Sequence, residues 1–254
     1  TTNTLQEMKQ AGEKITMLTA YDFSMARILD RAGIDVILVG DSASNVMAGN
    51  DTTVPITLDQ MIYHAQCVVN GVSRALIVCD MPFGSYQGDS RQALNSAIRI
   101  MKESGSHAVK LEGGAEIVES IERILTAGIP VMGHIGLLPQ STSNFKLMGK
   151  NHLQKNKILN DAQALYNAGA FSIVIECVVE SLAKKITNFI KIPTIGIGAS
   201  KFCDGQILVT DDMIGLSNFY PRFVKKYSNL RGIIEKSVKK YCTEVKKKKF
   251  PASK

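Results

Sequence analysis

The sequence predicts a (β/α)8 barrel, an α/β fold in which eight parallel strands close into a ring inside a shell of helices. Three observations carry this. The 254 residues are long for an ordinary domain and normal for one barrel of this kind. A unit of helical stretch, glycine, short apolar run and polar residue recurs along the chain. The residues that close the runs are acids or histidine, as expected where strand ends converge on a reactive rim.

Taken in order, residues 1–10 are polar and lack the apolar segment of a secretory leader. A first strand is expected over 16–19, running into Thr19-Ala20-Tyr21-Asp22. No glycine-rich phosphate turn follows it, which counts against the alternative, a doubly wound open sheet. A helix over 23–32 ends at Gly33, and Val36-Ile37-Leu38-Val39 leads to Asp41. A helix over 58–69 ends at Gly71, and Ala75-Leu76-Ile77-Val78 leads to Asp80. Helix 92–101 precedes Gly105, Ala108-Val109 and Glu112, and helix 117–125 precedes Gly128, Pro130-Val131-Met132 and His134. Helix 161–168 precedes Gly169, the run 171–175 and Glu176. A helix over 181–190 and strands over 194–197 and 206–209 complete the eight. Each glycine is expected to turn left-handed just past its helix. The short runs rich in Val and Ile suit strands buried on both faces. Asp89 with Ser90, and Asp161, resemble helix starts.

Two segments stand outside the repeat. Residues 137–157 show no clear periodicity and are expected to form a lid or binding loop. Leu230, Ile234, Val238, Tyr241 and Val245 recur at helical spacing. They predict a terminal amphipathic helix packed on the barrel or on a neighbouring subunit. The whole chain, 1–254, reads as one barrel domain with a Lys-rich tail from 246.

Composition narrows the function classes. The net charge of +7 is local: residues 225–254 hold 11 basic and 2 acidic side chains, and the remainder holds 19 and 21. That is a solvated terminus, not a nucleic-acid groove. The apolar runs are too short to span a membrane. The 5 Cys are scattered and form no CxxC, which suits reduced thiols in a cytoplasmic protein and argues against a thiolate zinc site.

The chemistry lies at the strand ends. Any one of Asp41, Asp80, Glu112, His134 and Glu176 could be a helix cap, but all five together mark one cleft. Converging carboxylates repel one another unless a cation intervenes, and oxygen donors favour a hard ion, Mg²⁺ or else Mn²⁺. Lys110 lies two residues before Glu112, so both share a strand face. It suits an anionic substrate, or else a structural ion pair. His134 could donate to a substrate oxygen, and Glu176, across the barrel from the second strand, suits a general base. Gly196-Ile197-Gly198 supports close backbone approach and no cofactor fingerprint.

Several stretches resemble one family. They are Leu18-Thr-Ala-Tyr-Asp22, Leu38-Val-Gly-Asp-Ser42, residues 57–64, Asp80-Met-Pro-Phe83, Val109-Lys-Leu-Glu-Gly-Gly114 and Gly133-His-Ile-Gly-Leu-Leu-Pro-Gln140. Ile175-Glu-Cys177, Ile192-Pro-Thr-Ile-Gly-Ile-Gly-Ala199 and Asp204-Gly-Gln-Ile-Leu-Val209 continue the series. In this order the chain resembles ketopantoate hydroxymethyltransferases. The resemblance implies Mg²⁺ held by Asp41, Asp80 and Glu112. It implies 3-methyl-2-oxobutanoate chelating that ion and contacting Ser42 and Lys110, with His134 nearby and Glu176 as proton acceptor. It implies 5,10-methylenetetrahydrofolate as one-carbon donor to a Mg-stabilised enolate, ketopantoate as product for pantothenate synthesis, and a homo-oligomer, a decamer. The chain departs from the family pattern in the shorter stretch Ser143-Asn-Phe-Lys-Leu-Met-Gly-Lys150, in Ser200 where a glycine is usual, and in Asp211-Asp212 where His-Asp is common. Enzymes of the phosphoenolpyruvate mutase and isocitrate lyase type are the nearest rival, but their Lys-Lys-Cys-Gly-His segment is missing. A non-catalytic barrel is a second rival, opposed by retention of every site residue.

Overall fold

The structure, a computed structural model, describes residues 1–142, 146–218 and 220–252. The chain divides into two compact units, 1–207 and 208–254.

The first unit opens with a helix that sequence reading missed, α1 (Thr2–Ala11). The alternation then follows: β1 (Ile15–Thr19), α2 (Phe23–Arg31), β2 (Val36–Val39), the short α3 (Ala43–Val46), α4 (Leu58–Val69), β3 (Leu76–Asp80) and α5 (Ser90–Ser104). After these come β4 (Ala108–Glu112), α6 (Val118–Thr126), β5 (Val131–Gly136), α7 (His152–Ala168), β6 (Ser172–Glu176), α8 (Glu180–Phe189), β7 (Thr194–Ile197) and β8 (Gly205–Leu208). The strands run in order around a closed barrel. At the seam the Ile15 amide donates to the Asp204 carbonyl at 2.9 Å.

Strand period two sorts the side chains into two cores. Val36, Leu38, Leu76, Val78, Ala108, Met132, Val174, Ile195 and Ile207 form one cluster, joined by Leu5 and, at its margin, Met8 of α1. The intervening residues Ile37, Val39, Ile77, Cys79, Val109, Leu111, Ile173 and Ile175 pack with the helices in the other. The first cluster fills the barrel, and α1 adds to it from outside the β/α repeat. Its mostly polar sequence hid it: only Leu5 is buried, and a Thr1–Thr4 capping box fixes its start. Lys9 anchors it, donating to the Thr187 and Ile192 carbonyls and pairing with Asp204 at 2.8 Å.

Two expectations need correction. The helix before β6 begins at His152, capped by Asn151, not at Asp161. Its solvated outer face, rich in Gln, Asn and Lys, blurred the period. Asp161 instead lies buried inside α7, accepting from the Ala115 amide at 3.2 Å and from Lys157 at 2.7 Å. The connection after β5 is correspondingly shorter, and Ser143, Asn144 and Phe145 of the shortened stretch lie outside the described residues. Gly33, Gly105, Gly128 and Gly169 are left-handed as expected, whereas Gly71 is not. Gly71 is instead a close approach: a Cβ there would sit 2.7 Å from the Phe23 carbonyl oxygen.

The second unit holds α9 (Thr210–Met213) and α10 (Leu230–Lys246). Amides of Tyr227, Leu230 and Arg231 donate to carbonyls of Met213, Ile214 and Gly215, tying the two together. The apolar stripe expected on the terminal helix is present, but no residue of α10 is buried in the single chain. Among the described residues no helix is long and apolar enough to cross a membrane.

Candidate active site

The barrel interior explains where the charged groups meet. Leu76, Val78 and Asp80 alternate along β3, as do Ala108, Lys110 and Glu112 along β4, Met132 and His134 along β5, and Val174 and Glu176 along β6. The phase that buries apolar side chains in the barrel therefore ends in polar ones at the C-terminal rim. Neighbouring strands are in register there: Asp80 is opposite Lys110, and Glu112 opposite His134. Asp41 follows β2 by two residues through Gly40, where a Cβ would lie 2.8 Å from Ser42 Oγ.

The side chains form one continuous buried network. Asp41, Asp80, Lys110, Glu112, His134 and Glu176 are each at least nine-tenths buried. The Asp41 amide donates to Asp80 Oδ2 at 3.0 Å, and Lys110 Nζ lies 3.0 Å from Asp80 Oδ1. Lys110 Nζ is also 3.1 Å from His134 Nδ1. His134 continues the chain, with Nδ1 3.4 Å from Glu112 Oε1 and Nε2 3.2 Å from Glu176 Oε2. Ser42 stands on the same loop as Asp41, its Oγ 2.8 Å from the Tyr21 hydroxyl. All seven residues singled out from sequence thus lie at this end of the barrel.

The electrostatics follow from burial and crowding. Burial and the charges of Asp80 and Glu112 push Asp41 up to about 8, against Lys110 and Gln140. Burial likewise raises Asp80, although Lys110 and the Asp41 amide oppose it. For Glu112 the outcome reverses: burial is outweighed by His134, Lys110 and the Gln140 amide, and the group is held low. Burial and Lys110 favour a neutral His134, but Glu112 and Glu176 outweigh them and hold it up at about 9. Lys110 is raised too, its three acidic neighbours overcoming burial. Four carboxyl groups (Asp41, Asp80, Glu112, Glu176) thus crowd against two basic groups (Lys110, His134) in a buried site, and Asp80 and Glu112 add to the burial that raises Asp41. A hard dication would relieve that repulsion and suits the oxygen donors. Among the described residues no three acid, His or Cys side chains form a ready-made cage.

Sequence reading missed Gln140 and Tyr86. Gln140 Nε2 donates to Asp41 Oδ2 and to the Met81 carbonyl, both at 2.9 Å, and its amide donates to Glu112 Oε2 at 3.0 Å. The Tyr86 hydroxyl donates to Gln140 Oε1 at 2.7 Å and accepts from the Glu112 amide at 3.1 Å. Both sit in loops beyond the strand ends, where no periodicity points; the quoted stretch ending at Gln140 was the available signal. Cys177, next to Glu176, turns the chain with φ 49°, a strained value for a residue with a side chain. Burial and the Glu176 charge push its thiol up to about 12. Cys79 is raised by burial and by Asp80. Both are buried thiols.

A closed parallel barrel with buried acids, a lysine and a histidine joined at its C-terminal rim defines an enzyme of the (β/α)8 class. Comparison with known proteins narrows the class. The profile of the ketopantoate hydroxymethyltransferase family matches residues 1–253. The 3-methyl-2-oxobutanoate hydroxymethyltransferase of Cytophaga hutchinsonii is 59% identical over 255 residues, covering 99% of this chain and 94% of that protein. The enzyme of the same name from Bacteroides thetaiotaomicron is 54% identical over 258 residues, covering 100% and 94%. Among solved structures, 2,3-dimethylmalate lyase, a member of the phosphoenolpyruvate mutase and isocitrate lyase superfamily, superposes with TM-score 0.64 at 14% identity, covering 100% of this chain and 90% of that one. Phosphonopyruvate hydrolase gives 0.67 at 12% identity, covering 97% and 87%. These two share the fold. The chain belongs to the ketopantoate hydroxymethyltransferase family, and it is a transferase.

Proposed function

We propose that the chain transfers a hydroxymethyl group from 5,10-methylenetetrahydrofolate to 3-methyl-2-oxobutanoate, giving 2-dehydropantoate for pantothenate synthesis. The observation that carries this is the buried network from Asp80 through Lys110 and His134 to Glu176. It supports the reading that one cleft holds both an ion-binding end and a proton-accepting end. Asp41, Asp80 and Glu112 would hold Mg²⁺, directly or through water. Mg²⁺ there would disperse the negative charge that builds on the substrate's 2-oxo oxygen. Lys110 and Ser42 supply a cation and a hydroxyl for the substrate carboxylate. Glu176 takes the proton from C3, which is acidic because it adjoins the ketone. His134, 3.2 Å from Glu176 Oε2, orients the base. Water hydrolyses the donor's methylene bridge, breaking its two C–N bonds and releasing tetrahydrofolate and formaldehyde. The C3 electron pair then attacks the formaldehyde carbon, and the formaldehyde oxygen takes a proton to become the new hydroxyl. We further infer a cytoplasmic homo-oligomer, a decamer as in the family resemblance, in keeping with five free cysteines and the exposed apolar stripe of α10.

The test uses Glu176→Gln, which keeps shape and loses the basic oxygen. It is expected to bind Mg²⁺ and 3-methyl-2-oxobutanoate as the parent does while turnover falls about 10²–10⁴-fold, the usual worth of a positioned base. Exchange of C3 deuterium with solvent, followed without folate, isolates the proton step. Exchange as fast as in the parent would remove Glu176 from the role. Absence of 2-dehydropantoate in the complete parent reaction would remove the reading altogether.

A further inference from the structure

Gln140 uses every valence of its carboxamide. Nε2 donates to Asp41 Oδ2 and the Met81 carbonyl at 2.9 Å each. Oε1 accepts from the Tyr86 hydroxyl at 2.7 Å and from Gln87 Nε2 at 3.2 Å. The orientation is forced, because a flipped amide would set oxygen against the Met81 carbonyl and Asp41, and nitrogen against the Gln87 donor. Its own backbone amide donates to Glu112 Oε2 at 3.0 Å. One residue after β5 therefore grips one oxygen of the carboxylate after β2 and one of the carboxylate ending β4. Asp41 and Glu112 repel each other across the site, and the two donations hold them at a set spacing despite that repulsion. Gln140 is only 5% exposed, so water does not compete for these bonds.

We propose that Gln140 is a positioning residue for the dication site: through its side chain and backbone it fixes one oxygen of Asp41 and one of Glu112, leaving the other oxygen of Asp41 for the ion, while Glu112 Oε1 is shared with His134 Nδ1. Tyr86 is its anchor. The inference rests on the metal role given above to Asp41, Asp80 and Glu112. Groups one step removed from a metal commonly carry 10- to 100-fold in affinity, and this one touches two proposed ligands at once.

The experiment titrates the folded proteins with Mn²⁺, read by electron paramagnetic resonance without substrate, and pairs this with C3 deuterium exchange at low and saturating Mg²⁺. Gln140→Met keeps length and apolar packing and removes the donors. It is expected to weaken Mn²⁺ binding about 10- to 100-fold. Saturating Mg²⁺ is expected to restore most of its exchange activity, which a residue serving only the packing would not show and which Glu176→Gln would not share. Tyr86→Phe leaves Gln140 in place and removes its anchor, together with the hydroxyl's bond to the Glu112 amide, with an expected loss of about three- to tenfold. A folded Gln140→Met with parental Mn²⁺ affinity overturns the proposal. Should that variant not fold, an unchanged Tyr86→Phe overturns it instead. A parent that binds no Mn²⁺ removes the metal reading itself, a result distinct from loss confined to the variants.

Discussion

Asp80 sits where three demands meet. Its Oδ2 takes the Asp41 amide, its Oδ1 faces Lys110, and the residue ends a strand whose other inward side chains are apolar. Asp80→Asn is nearly isosteric and keeps one acceptor for the amide, so the barrel is expected to fold. It removes one of the charges that make the site attract a dication. Calorimetry is expected to show Mg²⁺ affinity reduced by about tenfold or more, since even groups one step from a metal carry that much. Unchanged affinity would take Asp80 out of the ligand set. Residues of this kind were legible in sequence because the strand period that buries Leu76 and Val78 brings Asp80 to the rim in the same phase. Gln140 and Tyr86 were not legible. Their positions depend on loop paths, and a glutamine or tyrosine in a loop has many ordinary explanations.

Legibility at the level of elements followed the contrast between faces. The eight strands and the helices α2, α4 and α8 appear near their expected bounds, because short apolar runs alternate with amphipathic stretches. α1 and the first half of α7 show little contrast, and they were read as polar terminus and loop. A second kind of information, the tie between elements, is hidden from periodicity altogether. Asp30, buried near the end of α2, accepts from the amides of Ser73, Arg74 and Ala75 and from the Ser73 hydroxyl. It thereby fixes the approach to β3. Burial alone would raise its pKa, but the donors from Ala75, Ser73 and Arg74 lower it. Its contribution to stability is therefore present above the ordinary carboxylate value and lost as pH falls through the lower folded one. Asp30→Ala strands those donors. It is expected to cost about 1–3 kcal/mol, read by denaturant titration at neutral pH. A loss within experimental scatter would show that water replaces the carboxylate.

At the scale of the whole chain, charge and structure are distributed separately. The buried acids of the candidate site lie in the unit 1–207, and the lysines that make the chain basic lie in 225–254. No residue of α10 is buried, and Lys240 pairs with Glu244 one turn on at 3.9 Å. Exposed terminal segments carry little stability. Deletion of residues 246–254 is expected to leave turnover within about twofold, measured beside the parent at matched salt. A larger loss, or a change of assembly state in sedimentation, would show that the tail docks specifically.

The connection after β5 is pinned at both ends. At one end Gln140 is bound to Asp41 and Glu112. At the other, Met148 pairs with the backbone just past Glu176: its amide donates to the Cys177 carbonyl at 2.6 Å, and its carbonyl accepts from the Val179 amide at 3.0 Å. The posts stand beside Asp41 and Glu112 at one side of the cleft and Glu176 at the other. If those acids have the roles proposed for them, the stretch between the posts is a cassette in the evolutionary sense: a change of length there need move neither post, nor the acids beside it.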